Sequence, residues 1–345
     1  MYDLQQWAMA AKDRLRSVLG RLSRPVLAAA GGCALCAAAS AAPAVDKLTL
    51  GGPGAVVSYP LMHMVETGAL KPYAAKVEFR LWETHDQLSS LLAHKKLDFT
   101  ATPTTLPALL ANRGQKTRLL SVSVWGLVWL VSTDPAVKGF GDLAGQELLS
   151  PFQHDLGDVL IDTLLTAQDP DGKAPVRVRR TRSGQDAIAL MLSGQGKHVV
   201  LAEPAASLLL WRSASQGKGA PLHRVQSLEE AWPQYFPHQP SLPQAGLMAN
   251  ATVADDLELS RAVEKAYAAS AAWCKSHAPD CAQVAHKYLP HMPVDALRQA
   301  IEVTRLESRP ATEVRTELEA LYTLLKTRHP KAIGNKLPEA GFYGP

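Results

Sequence analysis

Val77-Glu78-Phe79-Arg80-Leu81-Trp82, then Thr84 ahead of an apolar stripe at Leu88, Leu91 and Leu92, then Leu97-Asp98-Phe99-Thr100-Ala101, reads as strand, capped helix and strand in succession. The outer pieces have the short, β-rich pattern of strands. The middle piece has the three-to-four spacing of a helix with a hydroxyl at its start. A strand that returns through a helix pairs parallel to the first, so this stretch predicts an α/β fold. Towards the N-terminus the pattern continues with strand Leu48-Thr49-Leu50 and the loop Gly51-Gly52-Pro53-Gly54. A helix over 58–69 follows, with Ser58 as its cap and Leu61, Met62, Val65 and Ala69 on one face. Towards the C-terminus come a helix over 102–112 and a single long strand over 118–132.

The alternation then restarts. A loop over 139–145 leads to strand 146–150, helix 157–167, strand 176–180, helix 183–192, strand 198–202 and helix 204–213. A Pro-flanked extended run over 241–248 closes this second unit. Beyond it the pattern is almost purely helical, over 254–276, 280–288, 294–305 and 312–327, and the Pro- and Gly-rich tail 334–345 is expected to wrap the surface. Two α/β units joined by two extended crossings predict a two-lobed protein. Residues 43–131 begin lobe one, 132–245 form an inserted lobe two, and 246–345 return as helices packed on lobe one. The hinge is expected near Ser132 and Ala245. Open α/β sheets bind ligands outside the carboxyl ends of their strands, so two such edges facing one another enclose a solute.

The 345 residues are long enough for two lobes, and a net charge of +4 gives no footprint for nucleic acid. Much of that positive charge sits before Arg24. A short Ala-rich apolar run follows, then Ala39-Ser40-Ala41-Ala42-Pro43. Basic start, short apolar run and small-residue site describe a cleavable signal peptide over 1–42, with translation beginning at Met1 or at Met9. Cys33 is the alternative lipid-attachment point. Export makes Cys274 and Cys281 candidates for a disulfide, with free thiols or a zinc site using His277 and His286 as the other readings.

Several segments resemble the periplasmic solute-binding proteins of the nitrate, sulfonate and taurine type. Leu48 to Gly54 followed by Tyr59-Pro60-Leu61 is similar to that family's first strand, ligand loop and helix. Leu97 to Thr104 is similar to its strand running from an acidic residue into a hydroxylated loop. Phe140-Gly141-Asp142-Leu143-Ala144-Gly145-Gln146 resembles the start of its second lobe, with Gln146 in place of the usual lysine, and Ala202-Glu203-Pro204 resembles a Glu-Pro step at a strand end. The resemblance implies a type-II periplasmic binding fold that closes on a hinge. It further implies a monomer without cofactor or metal, located in the periplasm, that delivers a small-molecule solute to an ABC permease in the inner membrane.

Within that frame the candidate ligand contacts are Gly52, Ser58, Tyr59, Thr100, Thr102, Thr104, Trp125, Gln153, His154, Asp155 and Glu203. Each has a structural alternative. The threonines either hold a ligand together with helix N–H groups or simply cap the helix. Asp155 either contacts solute or caps its own helix. Trp125 either stacks on a flat ligand or fills the core, and Glu203 either meets a cationic or hydroxylated ligand or pairs with an arginine such as Arg182. The threonines favour an anion such as a sulfonate, whereas Glu203 favours an amine or a small heterocycle. The glycine loop lacks the spacing of nucleotide sites, and no nucleophile motif accompanies the histidines. Catalysis is therefore not expected. The alternatives are a secreted enzyme of the same fold, resembling pyrimidine-precursor synthases, and a solute-sensing module for a membrane receptor.

Overall fold

Leu48, Leu50, Phe99 and Ala101 are all buried, as central strands between helical layers require. The structure, a computed structural model, describes residues 45–217 and 221–345. The expected signal peptide, Cys33 and the start at Met9 lie outside the described residues. In chain order the first group is β1 (Val45–Gly52), α1 (Tyr59–Thr67), β2 (Ala74–Leu81), α2 (His85–Ala93), β3 (Phe99–Pro103), α3 (Thr105–Asn112) and β4 (Arg118–Val124). The second is β5 (Val128–Ser132), β6 (Glu147–Ser150), α4 (Leu156–Gln168), β7 (Arg177–Arg180), α5 (Gly184–Leu192), β8 (His198–Ala202), α6 (Ala205–Gln216), β9 (His223–Ser227) and α7 (Leu228–Tyr235). The third is β10 (Ala245–Ala249), α8 (Leu257–Ser276), α9 (Ala278–Tyr288), α10 (Val294–Val303), β11 (Leu306–Pro310) and α11 (Arg315–Arg328).

These strands form two sheets, in the orders β11-β4-β10-β3-β1-β2 and β7-β6-β8-β5-β9. In the first, β1 pairs parallel with β2 and β3, while β10 runs antiparallel between β3 and β4. In the second, β6 pairs parallel with β7 and β8, and β5 runs antiparallel to β8 and β9. The fold is thus two-lobed α/β. The stretch 118–132 is not one strand. It breaks at Trp125-Gly126-Leu127, and its second half, β5, belongs to the second sheet, so the chain crosses between sheets earlier than its hydrophobic pattern suggests. The return crossing precedes Ala245, where β10 rejoins the first sheet. Gly246 permits that return, because a Cβ there would lie 1.8 Å from the carbonyl oxygen of Ser121.

The C-terminal helices are pinned to lobe one by buried hydroxyls. Tyr267 of α8 donates to the carbonyl of Val57 at 2.7 Å and pairs with Ser123. Tyr322 of α11 donates to the carbonyl of Thr104 at 2.8 Å. Two features depart from the expected pattern. Strand β11 interrupts the helical region, and the tail, exposed at Asn335, Lys336 and Glu339 to Gly341, is anchored at its end by Phe342 and Tyr343, which are buried, with Tyr343 bridged to Leu119 of β4.

Candidate functional site

The strand ends of both sheets converge on a cavity of about 180 Å³. Lobe one contributes Pro53 after β1, Trp82 after β2 and Pro103 at the end of β3. Lobe two contributes Phe152 and Asp155 after β6, Leu160 of α4 and Ala202 at the end of β8. The crossings supply Leu127, Val128, Gln244 and Ala245. A wider groove of about 740 Å³ adjoins this cavity through Pro103, Asp155 and Leu156, and runs between α3, α4 and residues 329–332. Its charges are mixed, with Arg113, Arg180 and Lys331 among Asp155, Asp158 and Asp162.

Trp82 is buried, and its indole N–H donates to Thr100 Oγ1 at 3.3 Å. Its polar handle is therefore engaged inside lobe one, while the residue lines the cavity. Gln244, 4% exposed, is held by its carbonyl oxygen, which accepts the Leu127 N–H at 2.6 Å. Its Nε2 is buried without a partner among the described residues.

The expected contacts divide into three groups. Asp155 lines both spaces and His154 the outer groove. Asp155 is also the cap of α4, its Oδ1 accepting the Asp158 N–H at 2.9 Å. The backbone N–H of His154, at φ 59, donates to Asp158 Oδ2 at 2.9 Å. A second group supports the cavity without lining it. Thr100 orients Trp82, while Thr104 ties β3 to the return crossing through Pro243 O at 2.8 Å and, by its N–H, through Gln244 O at 3.0 Å. Thr102 is buried, with Oγ1 unpartnered among the described residues.

The third group lies outside the lining of the cavity, each residue engaged within the protein. Gly52 and Ser58 pack on each other, since a Cβ on Gly52 would lie 2.2 Å from Ser58 Oγ. Tyr59 is fully buried, and burial together with the nearby Glu203 charge holds its phenol well above the usual range. Trp125 fills the hinge: its N–H donates to Glu307 O at 2.9 Å, and Arg305 and Arg309 lie over its ring at 5.2 and 5.8 Å. Gln153 is exposed and donates to Thr181 O at 2.7 Å. Glu203 is buried and paired not with Arg182, which pairs with Asp186, but with Arg224. It also caps α6 by accepting the Ser207 N–H at 3.1 Å, while Arg224 lies 4.7 Å from the Trp129 ring. Burial holds the Glu203 carboxyl above its ordinary value, with Arg224 and Ser207 opposing.

Trp82, Phe152 and Gln244 escape the reading of the sequence. The carboxyl-end rule applied to β2 marks Trp82. Gln244 carries no such signal, because a glutamine between prolines resembles any loop residue. Cys274 and Cys281 form a disulfide with a Cα–Cα separation of 5.0 Å, and among the described residues no cluster of His, Cys, Asp or Glu could hold a metal ion.

This arrangement of two sheets, two crossings and a shared cavity is the two-lobed fold of periplasmic binding proteins. Among solved structures, an ABC transporter protein from Parabacteroides distasonis matches with TM-score 0.70 at 19% identity, over 87% of this chain and 99% of the other. The periplasmic aliphatic sulphonate binding protein SsuA from Escherichia coli matches with TM-score 0.60 at 14% identity, over 85% and 92% of the two chains. The periplasmic nitrate-binding protein NrtA from Synechocystis PCC 6803 matches with TM-score 0.58 at 15% identity, over 86% and 87%. No protein-family model and no curated sequence matches this chain.

Proposed function

We propose that the chain is the solute-binding component of an ABC importer, which captures a small molecule between its lobes and presents it to a permease from the periplasm. The observation that carries this reading is the cavity between Trp82, Phe152 and Gln244, built jointly by the strand ends of both sheets and by the two crossings. A site made by two lobes and their hinge gains contacts when the lobes approach, so solute favours the closed form by its differential affinity for it. The structural relatives named for binding sulphonate and nitrate support the same reading. Among the described residues no helix is long and apolar enough to cross a membrane, which accords with a protein that meets its permease from outside the bilayer.

The test uses the solute the protein carries when purified from its own cells, identified by mass spectrometry and returned to stripped protein. The radius of gyration in solution scattering is expected to fall and the melting temperature to rise as solute saturates. Saturable binding with unchanged scattering would remove the clamp, and conversion of the solute on mixing would replace transport by catalysis.

A further inference from the structure

We infer that Gln244 is the residue that orients the solute: its Nε2 donates to a hydrogen-bond acceptor, such as a carbonyl oxygen or a ring nitrogen, carried on an otherwise apolar part of the molecule. The inference rests on the interlobe cavity being the solute site and names what a solute must present there. Three observations carry it.

First, every other hydrogen-bonding group of Gln244 is engaged. Its backbone N–H donates to the carbonyl of Val124 at 3.0 Å, its own carbonyl accepts the Thr104 N–H at 3.0 Å, and Oε1 accepts the Leu127 N–H at 2.6 Å. Nε2 is the group left over, buried without a partner among the described residues. Turning the carboxamide over does not help, because its NH2 group would then confront the Leu127 N–H, donor against donor.

Second, these three bonds fix the residue. They reach the end of β4, the residue after β3 and the outgoing crossing. A donor held in this way keeps its direction when solute arrives, so the acceptor is met without the entropy loss of ordering a free side chain.

Third, the surroundings are apolar. Leu242 and Ala245, close by in the chain, are buried, and the cavity wall beside Gln244 includes Pro53, Pro103, Leu127, Val128, Leu160 and Ala202. A buried donor left unmet costs stability, and a methionine or leucine would fill the same space without that cost. In a mostly apolar cavity, one placed polar group sets the orientation of what binds. An acceptor on the solute satisfies Nε2, whereas bare hydrocarbon at that point excludes water and leaves the donor unmet. The volume of about 180 Å³ is below the roughly 300–1,000 Å³ of drug-sized sites, so the buried part of the solute is small.

The experiment titrates the full-length processed protein at neutral pH with two pairs of probes that differ by one acceptor: cyclopentanone against cyclopentene, and pyridine against benzene. The hydrocarbon of each pair leaves water more readily, so a cavity without an available donor prefers it. The expected result is that each acceptor probe binds about threefold or more tighter than its hydrocarbon. Gln244→Met, unbranched and of similar length but unable to donate, should reverse both preferences. Hydrocarbons that bind wild type as tightly as the acceptor probes overturn the inference, and so does a preference that survives in Gln244→Met or absence of acceptor-probe binding at millimolar concentration. Should the variant fail to fold, NMR of the wild type decides the same point. The side-chain N–H signals of Gln244 should move downfield as cyclopentanone saturates and stay in place with cyclopentene; signals unmoved by bound cyclopentanone overturn the inference. The site reading is judged separately, by crystals soaked with 3-bromopyridine. Bromine inside the cavity together with no acceptor preference defeats the inference alone, whereas bromine elsewhere removes the site reading and the inference with it.

Discussion

Gln146 stands where the resemblance to sulfonate and nitrate binders expects a lysine, and the structure gives the residue a different task. Its Nε2 donates to the carbonyl of Asp142 at 2.7 Å, which turns Oε1 toward Nε2 of His198, also at 2.7 Å. A glutamine oxygen only accepts, so the imidazole proton sits on Nε2, and Nδ1 faces Ser132 Oγ at 3.0 Å. A lysine ammonium has only donors and would confront that N–H. His198 is buried, and burial pushes its pKa below the ordinary 6.5. The folded chain thus resists taking up a proton that the unfolded chain accepts first. The resulting stability is complete above the ordinary value and is lost as pH falls through it towards the lowered one. Between about pH 7 and pH 5.5 the melting temperature of the wild type should therefore fall more than that of His198→Gln, whose side chain does not titrate there. Parallel curves would mean that the ring carries no such linkage. Gln146→Lys should cost roughly 1–3 kcal/mol by leaving the histidine N–H without its acceptor.

Among the elements, the join between α8 and α9 illustrates how a short covalent loop holds a helical corner. Cys274 and Cys281 are both buried, seven residues apart, on either side of the break at His277. His277 and His286 hydrogen-bond to local backbone carbonyls. A loop of this length contributes about 2.5 kcal/mol in the chain-entropy account, so Cys274→Ala/Cys281→Ala should melt several degrees lower than wild type. Reductant should lower the wild type to match and leave the variant unmoved. Two titratable thiols in denatured, unreduced protein would contradict the bond. The corner itself is legible in the sequence, from the cysteine spacing and Pro279. The strands that escape notice are β9 and β11, short, polar and at sheet edges: His223-Arg224-Val225-Gln226-Ser227 and Leu306-Glu307-Ser308-Arg309-Pro310. Their pairing with β5 and β4 makes them strands, and that partner is invisible in a local window. The break at Trp125-Gly126-Leu127 hides for the opposite reason, since the residues on both sides are uniformly apolar. The rule of strand ends finds the loops that line the interlobe cavity. Which residue of each loop meets the cavity depends on packing, and so Thr100 accepts the Trp82 N–H and does not line the cavity.

For the molecule as a whole, the two lobes are joined by a packed contact in addition to the two crossings. Helix α10 of lobe one packs against α6 of lobe two, and the buried cluster around Leu50 and Leu247 runs on through Leu201, Leu208 and Leu209. On the proposed clamp mechanism, this second bridge would restrict closure to a rotation that keeps α10 on α6 while the edges bearing Trp82 and Phe152 approach or part. Solute is then expected at the pivot of such a rotation, where Gln244 of the return crossing meets Leu127 of the outgoing one. The direct measurement is a crystal structure of the protein with the solute it carries from its own cells. The expected density is the solute in the interlobe cavity lined by Trp82, Phe152 and Gln244, with an acceptor within hydrogen-bond reach of Gln244 Nε2. Density for the solute at the polar pocket around Lys116, Arg118 and Lys336, with the interlobe cavity holding only water, would contradict it.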